Sequence, residues 1–286
     1  MRPVHSRGFA AMALGMVLTL AAAHATADAR AECEKVFKPQ TGQAGKDVIW
    51  VPTNDALVER MLKLANTTSS DLVYDLGAGD GKIAIAAAKK FGARSVGVEY
   101  DPEMAEFAQC MVRAEGVQGK TRVVQGDIFE TDFTQATVVT LYLLPELNLR
   151  LRPTLLKMKP GTRVVSHSFL MDDWEPDDRS TTDDGYAYLW IVPASVAGTW
   201  TFTPQGGGER FVVELDQTFQ ELKGTVGAGA AAKDLHETKL RGDQIDLVFS
   251  GDRGTSRLSG RVNGSRIEGT LTDSNNNQTK VVGTRS

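Results

Sequence analysis

The sequence predicts an α/β domain with a parallel sheet, followed by a smaller antiparallel all-β domain. Short apolar runs alternate with helical patterns between residues 55 and 168. This alternation is typical of a parallel sheet with helices on both faces. After Pro193 the helical periodicity stops, and apolar residues alternate with polar ones between glycine-rich turns. A period of two indicates antiparallel strands with one buried face.

The first domain is predicted to span residues 48–193, and its helices have clear start signals. Thr53 or Asn54 can cap the first helix, because a side-chain oxygen there accepts from free N–H groups of the first turn. Asp101 followed by Pro102 is a second start signal. The predicted strands are 72–76, 95–99, 121–125, 137–142 and 162–168, and the predicted helices are 55–64, 82–91, 102–115 and 146–157.

Residues 194–286 form the predicted antiparallel domain, either a small barrel or a sandwich. Asn263-Gly264 lies between two apolar segments and is typical of a tight hairpin turn. Gly242-Asp243 repeats the same weak pattern. Nothing in this domain has catalytic spacing. We interpret it as a stabilising or interaction module, and a barrel that holds a small ligand is the alternative.

A glycine-rich turn joins the first predicted strand to the helix at 82–91. Gly77, Gly79 and Gly81 stand at alternate positions in this turn. Glycine has no Cβ, so the turn can adopt positive φ and a ligand can lie against bare backbone. The helix that follows directs free N–H groups and a positive dipole end toward the turn. The turn therefore predicts a site for a nucleotide-like or carboxylate-bearing ligand.

Acidic side chains stand at the carboxyl ends of three successive predicted strands. Asp75 precedes the turn, where a carboxylate can bind a ligand ammonium group. Glu99, with Tyr100 beside it, lies where dinucleotide-binding folds hold the ribose hydroxyls. Asp127 can accept from an adenine amino group while Ile128 covers the ring. Together these positions predict S-adenosylmethionine (SAM), whereas the Gly-x-Gly-x-Gly spacing argues against a nicotinamide dinucleotide.

These motifs carry a resemblance to a known family. Residues 72–128 resemble the Rossmann-like sheet of the class I SAM-dependent methyltransferases. Three further segments resemble those of a narrower group: Val51-Pro52-Thr53, the Thr-Leu-Tyr-Leu-Leu-Pro run at 140–145 and the segment 161–167. That group is the small protein-lysine methyltransferases related to the mitochondrial ATP-synthase c-subunit enzyme. The resemblance covers about residues 48–192.

The resemblance implies SAM as cofactor and an amine acceptor, either a protein lysine or another amine. A catalytically silent SAM-fold module that binds a ligand or a partner in the cell envelope is the alternative, and a nicotinamide oxidoreductase is a third. The residues expected to bind SAM are Thr53, Asp75, Gly77, Gly79, Gly81, Glu99, Tyr100, Asp127 and Ile128.

The acceptor site is predicted at the end of the fourth strand, near Tyr142. Many amino-group methyltransferases carry an Asp or Asn there, and this chain has Leu141-Tyr142 instead. The departure argues against a DNA-adenine or glutamine acceptor. Tyr142 can offer an aromatic face to a cation, and Glu146 can attract it. His167 is a candidate base, and each of the three has a structural interpretation as core aromatic, helix-end acid or structural hydrogen-bonding group.

Composition limits the remaining possibilities. The net charge of −4 and the absence of a basic run argue against nucleic acid as a partner. No Cys/His cluster has the spacing of a metal site, so no metal is expected. Cys33 and Cys110 form a disulfide or remain two free thiols, and the sequence leaves this open. It also leaves the oligomeric state open.

The N-terminus predicts export. Two arginines precede an apolar run from Phe9 to Ala23, and small residues suited to cleavage follow it, which is typical of a secretory signal. We therefore expect a signal peptide at 1–27, a polar tail at 28–47, a periplasmic or secreted protein, and no membrane span after cleavage. The acidic segment 171–185 is expected to be an irregular loop, either solvated or a lid that recognises a basic substrate.

Overall fold

A computed structural model describes residues 26–183, 185–227, 229–251 and 254–286. Most of the predicted signal peptide therefore lies outside the described residues. The segment expected to be a polar tail has regular structure: residues 26–36 are helical (α1), and residues 42–50 form a hairpin. The expectation of a tail was wrong because Cys33 forms a disulfide with Cys110, and Phe37 stacks on Phe107 with ring centroids 5.9 Å apart.

The first domain contains a seven-stranded mixed sheet in the order β3-β2-β1-β4-β5-β7-β6. Strands β1 to β5 pair in parallel, whereas β7 and β6 run antiparallel at one edge. The parallel strands place their carboxyl ends at one edge of the sheet. The strands are β1 (Leu72–Leu76), β2 (Arg94–Glu99), β3 (Thr121–Gln125), β4 (Val138–Leu141), β5 (Arg163–His167), β6 (Asp178–Thr182) and β7 (Gly185–Ile191).

Helices cover both faces of this sheet, as predicted. Neighbouring residues of a strand point to opposite faces, so Val73 packs with α2 and α3 while Tyr74 packs with α5. α4 packs against α3 and β3 through a smaller apolar cluster. The sequence therefore correctly predicted a doubly covered α/β sheet. The helices are α2 (Asp55–Leu64), α3 (Lys82–Phe91), α4 (Pro102–Ala114) and α5 (Pro145–Leu155).

Side-chain caps fix the starts of α2 and α4. The Asn54 side chain accepts from the N–H of Ala56, so Asn54 rather than Thr53 is the cap. Asp101 accepts from the N–H of Met104 at 2.8 Å, and Pro102 follows it at the first helical position. Both starts match the sequence signals, because each cap pairs N–H groups that the helix itself leaves free.

The acidic segment 171–185 is not wholly irregular. Residues Asp178–Thr182 form β6, the edge strand of the sheet, so the expectation of an irregular loop was wrong there. Pairing with β7 forms a strand here although the run is polar. Asp177 supports the edge, because its side chain accepts from the N–H of Ile191 at 2.7 Å. No helix among the described residues combines the length and apolar character needed to cross a membrane.

The second domain is a closed eight-stranded barrel in which each strand pairs with its sequence neighbours and β15 closes on β8. The sequence had left a barrel and a sandwich open. The predicted junction between the domains, after residue 193, falls between β7 and the first barrel strand. The strands are β8 (Gly198–Pro204), β9 (Phe211–Thr218), β10 (Glu221–Val226), β11 (Lys233–Arg241), β12 (Gln244–Gly251), β13 (Gly254–Asn263), β14 (Arg266–Thr272) and β15 (Gln278–Arg285).

Large side chains fill the barrel. Trp200 and Phe202 of β8 are fully buried inside it. A Cβ on Gly283 of β15 would lie 2.5 Å from the Phe202 ring, so the small barrel needs a glycine opposite this ring. Both predicted hairpins are present, with Gly242 and Gly264 at positive φ as the first residue of a two-residue turn.

The barrel contacts the first domain through the turn between β9 and β10. Phe219, at the tip of this turn, stacks on Trp174 with centroids 5.9 Å apart. Trp174 donates from Nε1 to Gln220 Oε1 at 2.9 Å, and Gln220 Nε2 donates to the carbonyl of Glu175 at 2.7 Å. The two domains therefore share an aromatic contact and two hydrogen bonds at the loop that precedes β6.

Gly283→Ala is expected to destabilise the protein. The added methyl would overlap the Phe202 ring, and overpacking of this kind costs about 1–3 kcal/mol. Gly119→Ala is the matched control, because a Cβ there meets nothing within 4 Å and φ is not positive. Urea unfolding of both variants tests this expectation. Equal midpoints for the two variants would contradict the account of the barrel interior.

Candidate active site

A cavity of about 340 Å³ opens at the carboxyl ends of β1, β2 and β4. Its volume lies within the range of small-molecule sites. The β1–α3 turn and the acidic strand ends line one side. Every residue from Gln43 to Thr53 lines another side, and Tyr142, Leu143, Leu144, Leu147 and Phe169 line a third. The cavity therefore joins the predicted donor residues to the predicted acceptor wall.

The glycine-rich turn adopts the conformation that the sequence predicts. Gly77, Gly79 and Gly81 have φ values of 77°, 54° and 78°. Gly77 and Gly79 line the cavity. Gly81 instead forms the N-cap of α3, where a Cβ would meet Ala108 and Val123. Two of the glycines thus give a ligand access to the backbone, and the third allows α3 to pack closely.

Asp75 is a buried carboxylate with one free oxygen. Only 2% of the residue is exposed. Its Oδ1 accepts from Thr140 Oγ1 at 2.7 Å, whereas Oδ2 has no partner among the described residues. Burial raises the pKa of Asp75 to about 7, because a low-dielectric environment disfavours the charged form. An unpartnered buried acceptor fits the ammonium group of SAM.

Glu99 braces the turn from the end of β2. Its Oε2 accepts from the N–H of Gly79 at 2.8 Å, and its Oε1 accepts from the N–H of Asp101 at 3.0 Å. Glu99 and Tyr100 also line the cavity. A carboxylate oxygen can accept more than one hydrogen bond, so Glu99 can hold the turn and still accept from ribose hydroxyls.

Asp127 is held by a lysine that the sequence did not identify. Its Oδ2 accepts from Lys46 Nζ at 2.5 Å, and its Oδ1 accepts from the N–H of Phe129 at 2.9 Å. The hydrogen bond from Lys46 is the main reason that the pKa of Asp127 is below its usual value. Ile128 lines the cavity beside it, and Lys46 also lies 4.7 Å from the Tyr100 ring centroid.

The predicted acceptor wall is centred on Tyr142. Its ring stacks on His167 with centroids 3.7 Å apart and on Phe169 at 6.3 Å. Burial raises the pKa of Tyr142, so the phenol is neutral at pH 7. Thr53, which lines the cavity, shares a 3.2 Å hydrogen bond with His167 Nδ1.

The other two predicted catalytic residues lie outside the cavity lining. His167 lies behind Tyr142, and burial lowers its pKa to about 4, so the ring is neutral. Glu146 is exposed in the first turn of α5. The structure thus brings Tyr142 and Thr53 to the cavity, with His167 supporting the Tyr142 ring.

The loop after β5 forms the rim of the acceptor side, and α5 holds it. Asn148 donates to the carbonyls of Phe169 and Leu170 at 3.5 and 3.4 Å. Arg152 donates to the carbonyl of Met171 at 2.8 Å and pairs with Asp173. These contacts hold the backbone of the loop that carries Phe169.

Several lining residues have no motif that could have identified them. Lys46 comes from the segment predicted as a tail, Trp50 from the residues directly after it, Lys82 from the first turn of α3, and Phe169 from the loop after β5. Only Trp50 has a local signal, because it lies in the apolar run 48–52 directly before Thr53. The rest reach the cavity through tertiary contacts.

Comparisons with known proteins identify the family of the first domain. Residues 75–178 match the ANTKMT methyltransferase domain. The chain is 44% identical over 151 residues to a protein-lysine N-methyltransferase of Saccharolobus islandicus, covering 51% of this chain and 94% of the relative. It is 31% identical to the human lysine N-methyltransferase of the ATP-synthase c-subunit, with 51% of this chain and 61% of that relative's length covered.

A solved structure is similar as well. A crystal structure described as an RNA methyltransferase from Salinibacter ruber, in complex with S-adenosyl-L-homocysteine, has 46% sequence identity and a TM-score of 0.50. The match covers 51% of this chain and 96% of that one. The fold and the cavity therefore define a class I SAM-dependent methyltransferase.

Within that class, the chain belongs to the family of the Saccharolobus islandicus enzyme. The predicted cofactor, SAM, and the predicted enzyme class are confirmed. The barrel lies beyond the residues that match the ANTKMT domain, which end at 178.

SAM affinity is expected to depend on pH through Asp75. Its carboxyl must be ionised to accept from the SAM ammonium, and with a pKa of about 7 it is mostly protonated at lower pH. Affinity should therefore rise from pH 5.5 to pH 7.5, by up to about tenfold per unit below the pKa. Calorimetry at several pH values measures this slope. Asp75→Asn should bind weakly with a flat profile, and a slope equal to that of the wild type would contradict the assignment.

Glu99→Ala is expected to weaken SAM binding by at least about tenfold, which corresponds to about 1.4 kcal/mol. The variant loses both the ribose acceptor and the brace on the Gly79 N–H. Glu103→Ala, an exposed acid in the first turn of α4, is the control. Calorimetry with SAM compares the two. Unchanged affinity in Glu99→Ala would mean that the ribose site lies elsewhere.

Proposed function

We propose that this protein is an exported SAM-dependent N-methyltransferase whose acceptor is a lysine side chain of another protein. The observation that carries the proposal is the Tyr142 wall at the end of β4. It presents an aromatic ring and apolar side chains to the same cavity as the donor residues. The amide or carboxylate that would bind a planar nucleobase amine is absent from this position in the sequence.

Separate sets of residues would bind the SAM donor and the acceptor amine. Asp75 would hold the SAM ammonium, Glu99 the ribose and Asp127 with Ile128 the adenine, with Gly77 and Gly79 exposing the backbone to the donor. Bound SAM supplies a methyl group on a positively charged sulfur. Tyr142 would orient the incoming amine, and His167 and Thr53 would keep the Tyr142 ring in place.

The acceptor must lose a proton before transfer, because a lysine ammonium has a reference pKa of about 10.4. The apolar wall formed by Leu144 and Phe169 removes water from the amine, and desolvation favours the neutral form. The proton then leaves to solvent at the cavity mouth. His167 is buried behind the Tyr142 ring and its Nδ1 is hydrogen-bonded to Thr53, so we do not assign it as the base.

The exposed side chains at the rim of the cavity favour a protein as the acceptor. Among the described residues, large hydrophobic side chains are exposed at few places, and several surround this mouth. Exposed apolar patches of this kind are typical of protein contact sites. The exposed hydrophobic side chains at the cavity mouth are Ile49, Val51, Leu144 and, next to Phe169, Leu170.

The relatives point to two acceptor classes. The names of the archaeal and human relatives specify lysine, whereas the Salinibacter protein is described as acting on RNA. Charge favours lysine here. The two cations that line the cavity in the described part of the chain are paired with carboxylates, Lys46 with Asp127 and Lys82 with Asp55. The chain has a net charge of −4. RNA binding relies on free cations along the backbone path.

Export is supported by the disulfide between Cys33 and Cys110. Disulfides persist in oxidising compartments and are rare in the cytosol. Together with the signal pattern at 1–27, this supports a periplasmic or secreted location. Fractionation of the expressing cells tests it, and recovery of the full-length chain from the cytosol would contradict it.

Incubation with methyl-labelled SAM and envelope proteins tests the activity. We expect label on protein lysine, located by mass spectrometry, and no label on added RNA. Label on RNA would contradict the lysine proposal and identify RNA as the acceptor. Binding of SAM without transfer to any acceptor would instead favour a catalytically silent binding module.

Tyr142→Leu is expected to lower the rate of methyl transfer by at least about tenfold while SAM affinity changes little. Removing the aromatic face removes the attraction for the cation, whereas the donor contacts stay. Tyr142→Phe is the matched control and should keep most of the activity, because it retains the ring. Steady-state transfer rates and calorimetry measure both effects. A large loss in Tyr142→Phe would show that the hydroxyl, not the ring, is needed.

A further inference from the structure

Residues 38–53 are here called the N-terminal strap, and its residues 43–53 form the roof of the donor cavity. The strap is a short hairpin in its own right. The N–H of Gly42 donates to the carbonyl of Trp50 at 2.8 Å, and the N–H of Trp50 donates to the carbonyl of Gln43 at 2.9 Å. Ala44 and Ile49 form a bridge inside it. The hairpin therefore has a defined shape when it covers the cavity.

Two strap side chains contact the residues assigned to SAM. Lys46 donates to Asp127 at 2.5 Å and lies over the Tyr100 ring. Trp50 lies against Gly79, where a Cβ would overlap the indole nitrogen. The strap thus contacts the adenine-side acid and the glycine-rich turn at the same time. It lines the same cavity that these donor residues line.

The strap is anchored at both ends. Before it, Cys33 of α1 is buried and bonded to Cys110 of α4, and Phe37 packs on Phe107 of the same helix. At its other end, Lys82 Nζ donates to the carbonyl of Thr53, the last strap residue, at 3.0 Å. α4 begins directly after Tyr100 and Asp101, so the disulfide fixes the strap to the helix that carries one wall of the site.

We propose that the strap is part of the donor site, that Lys46 and Trp50 position SAM, and that the Cys33–Cys110 disulfide keeps the strap closed. A covalent anchor limits the conformations that the strap can reach when it leaves the cavity. Without it, the entry to the strap depends on the Phe37 contact and an Arg30–Glu115 pair. This goes beyond the proposed function, because it concerns SAM binding and not the acceptor.

The proposal makes donor affinity depend on the redox state. Dithiothreitol reduces the disulfide by transferring two electrons and two protons, which leaves thiols at Cys33 and Cys110 and closes the reagent to its own cyclic disulfide. The opened strap would then cover the cavity for a smaller fraction of the time. SAM would bind more weakly although every donor-contacting residue of the first domain is unchanged.

Calorimetry with SAM tests this on the full chain. Reduction of the wild type should raise the SAM Kd at least about fivefold, and Cys33→Ser/Cys110→Ser should show the same rise. Addition of dithiothreitol to the serine variant is the matched control and should change nothing. Thermal unfolding and circular dichroism establish that each sample is folded.

Lys46→Met tests the strap without touching the disulfide. In the oxidised protein this substitution should raise the SAM Kd several-fold. In the serine variant it should raise the Kd by a smaller factor, because loss of the Lys46 ammonium and loss of the disulfide both act through closure of the strap. Lys38→Met is the control, since Lys38 is an exposed strap residue outside the cavity lining, and its ion pair among the described residues is with Glu34 of α1. Trp50→Phe should remove most of the SAM-induced change in tryptophan fluorescence, because Trp50 lines the cavity.

A Kd that stays within twofold of the wild-type value in the reduced protein, the serine variant and Lys46→Met would overturn the proposal. If the serine variant does not fold, the reduced wild type and Lys46→Met decide the question. These measurements use SAM alone, so they stand whether or not the acceptor is lysine.

Discussion

The donor site depends on the absence of a side chain at Gly79. The β1–α3 turn passes between Glu99, whose carboxylate accepts from the Gly79 N–H, and Trp50, whose ring lies where a Cβ would be. Any larger residue would separate the N-terminal hairpin from the turn and strain a backbone at φ 54°. The roof, the turn and the end of β2 therefore meet only because this position is bare.

The three acids Asp75, Glu99 and Asp127 follow the same pattern in the sequence, but their surroundings in the fold differ. Asp75 is buried with an unpartnered oxygen, so its charge is costly until a ligand arrives. Glu99 is stabilised by backbone N–H groups, and Asp127 by Lys46. Asp75 is therefore the destabilising carboxylate of the three. Carboxylates with shifted pKa values cluster at sites of binding and chemistry.

The barrel adds a contact that the matched ANTKMT region does not contain. Phe219 and Gln220 reach the loop that runs from Phe169 to β6, and Arg152 holds the same loop from α5 while lying 5.4 Å from the Phe219 ring centroid. The rim of the acceptor side is therefore supported from both domains. A packed interior, with Trp200 and Phe202 at its centre, suits a rigid support better than a ligand-holding barrel.

The sequence by itself determined the α/β sheet, the glycine-rich turn, the acidic strand ends and the hairpins of the barrel, because each rests on local periodicity, capping or turn chemistry. Only the tertiary structure decided the disulfide between Cys33 and Cys110, the roof formed by Lys46 and Trp50, and the edge strand in the acidic segment. The edge strand pairs with its sequence neighbour β7, whereas the disulfide and the roof join residues far apart in the chain. No local propensity encodes a contact of the second kind, since it exists only when tertiary packing brings both partners together.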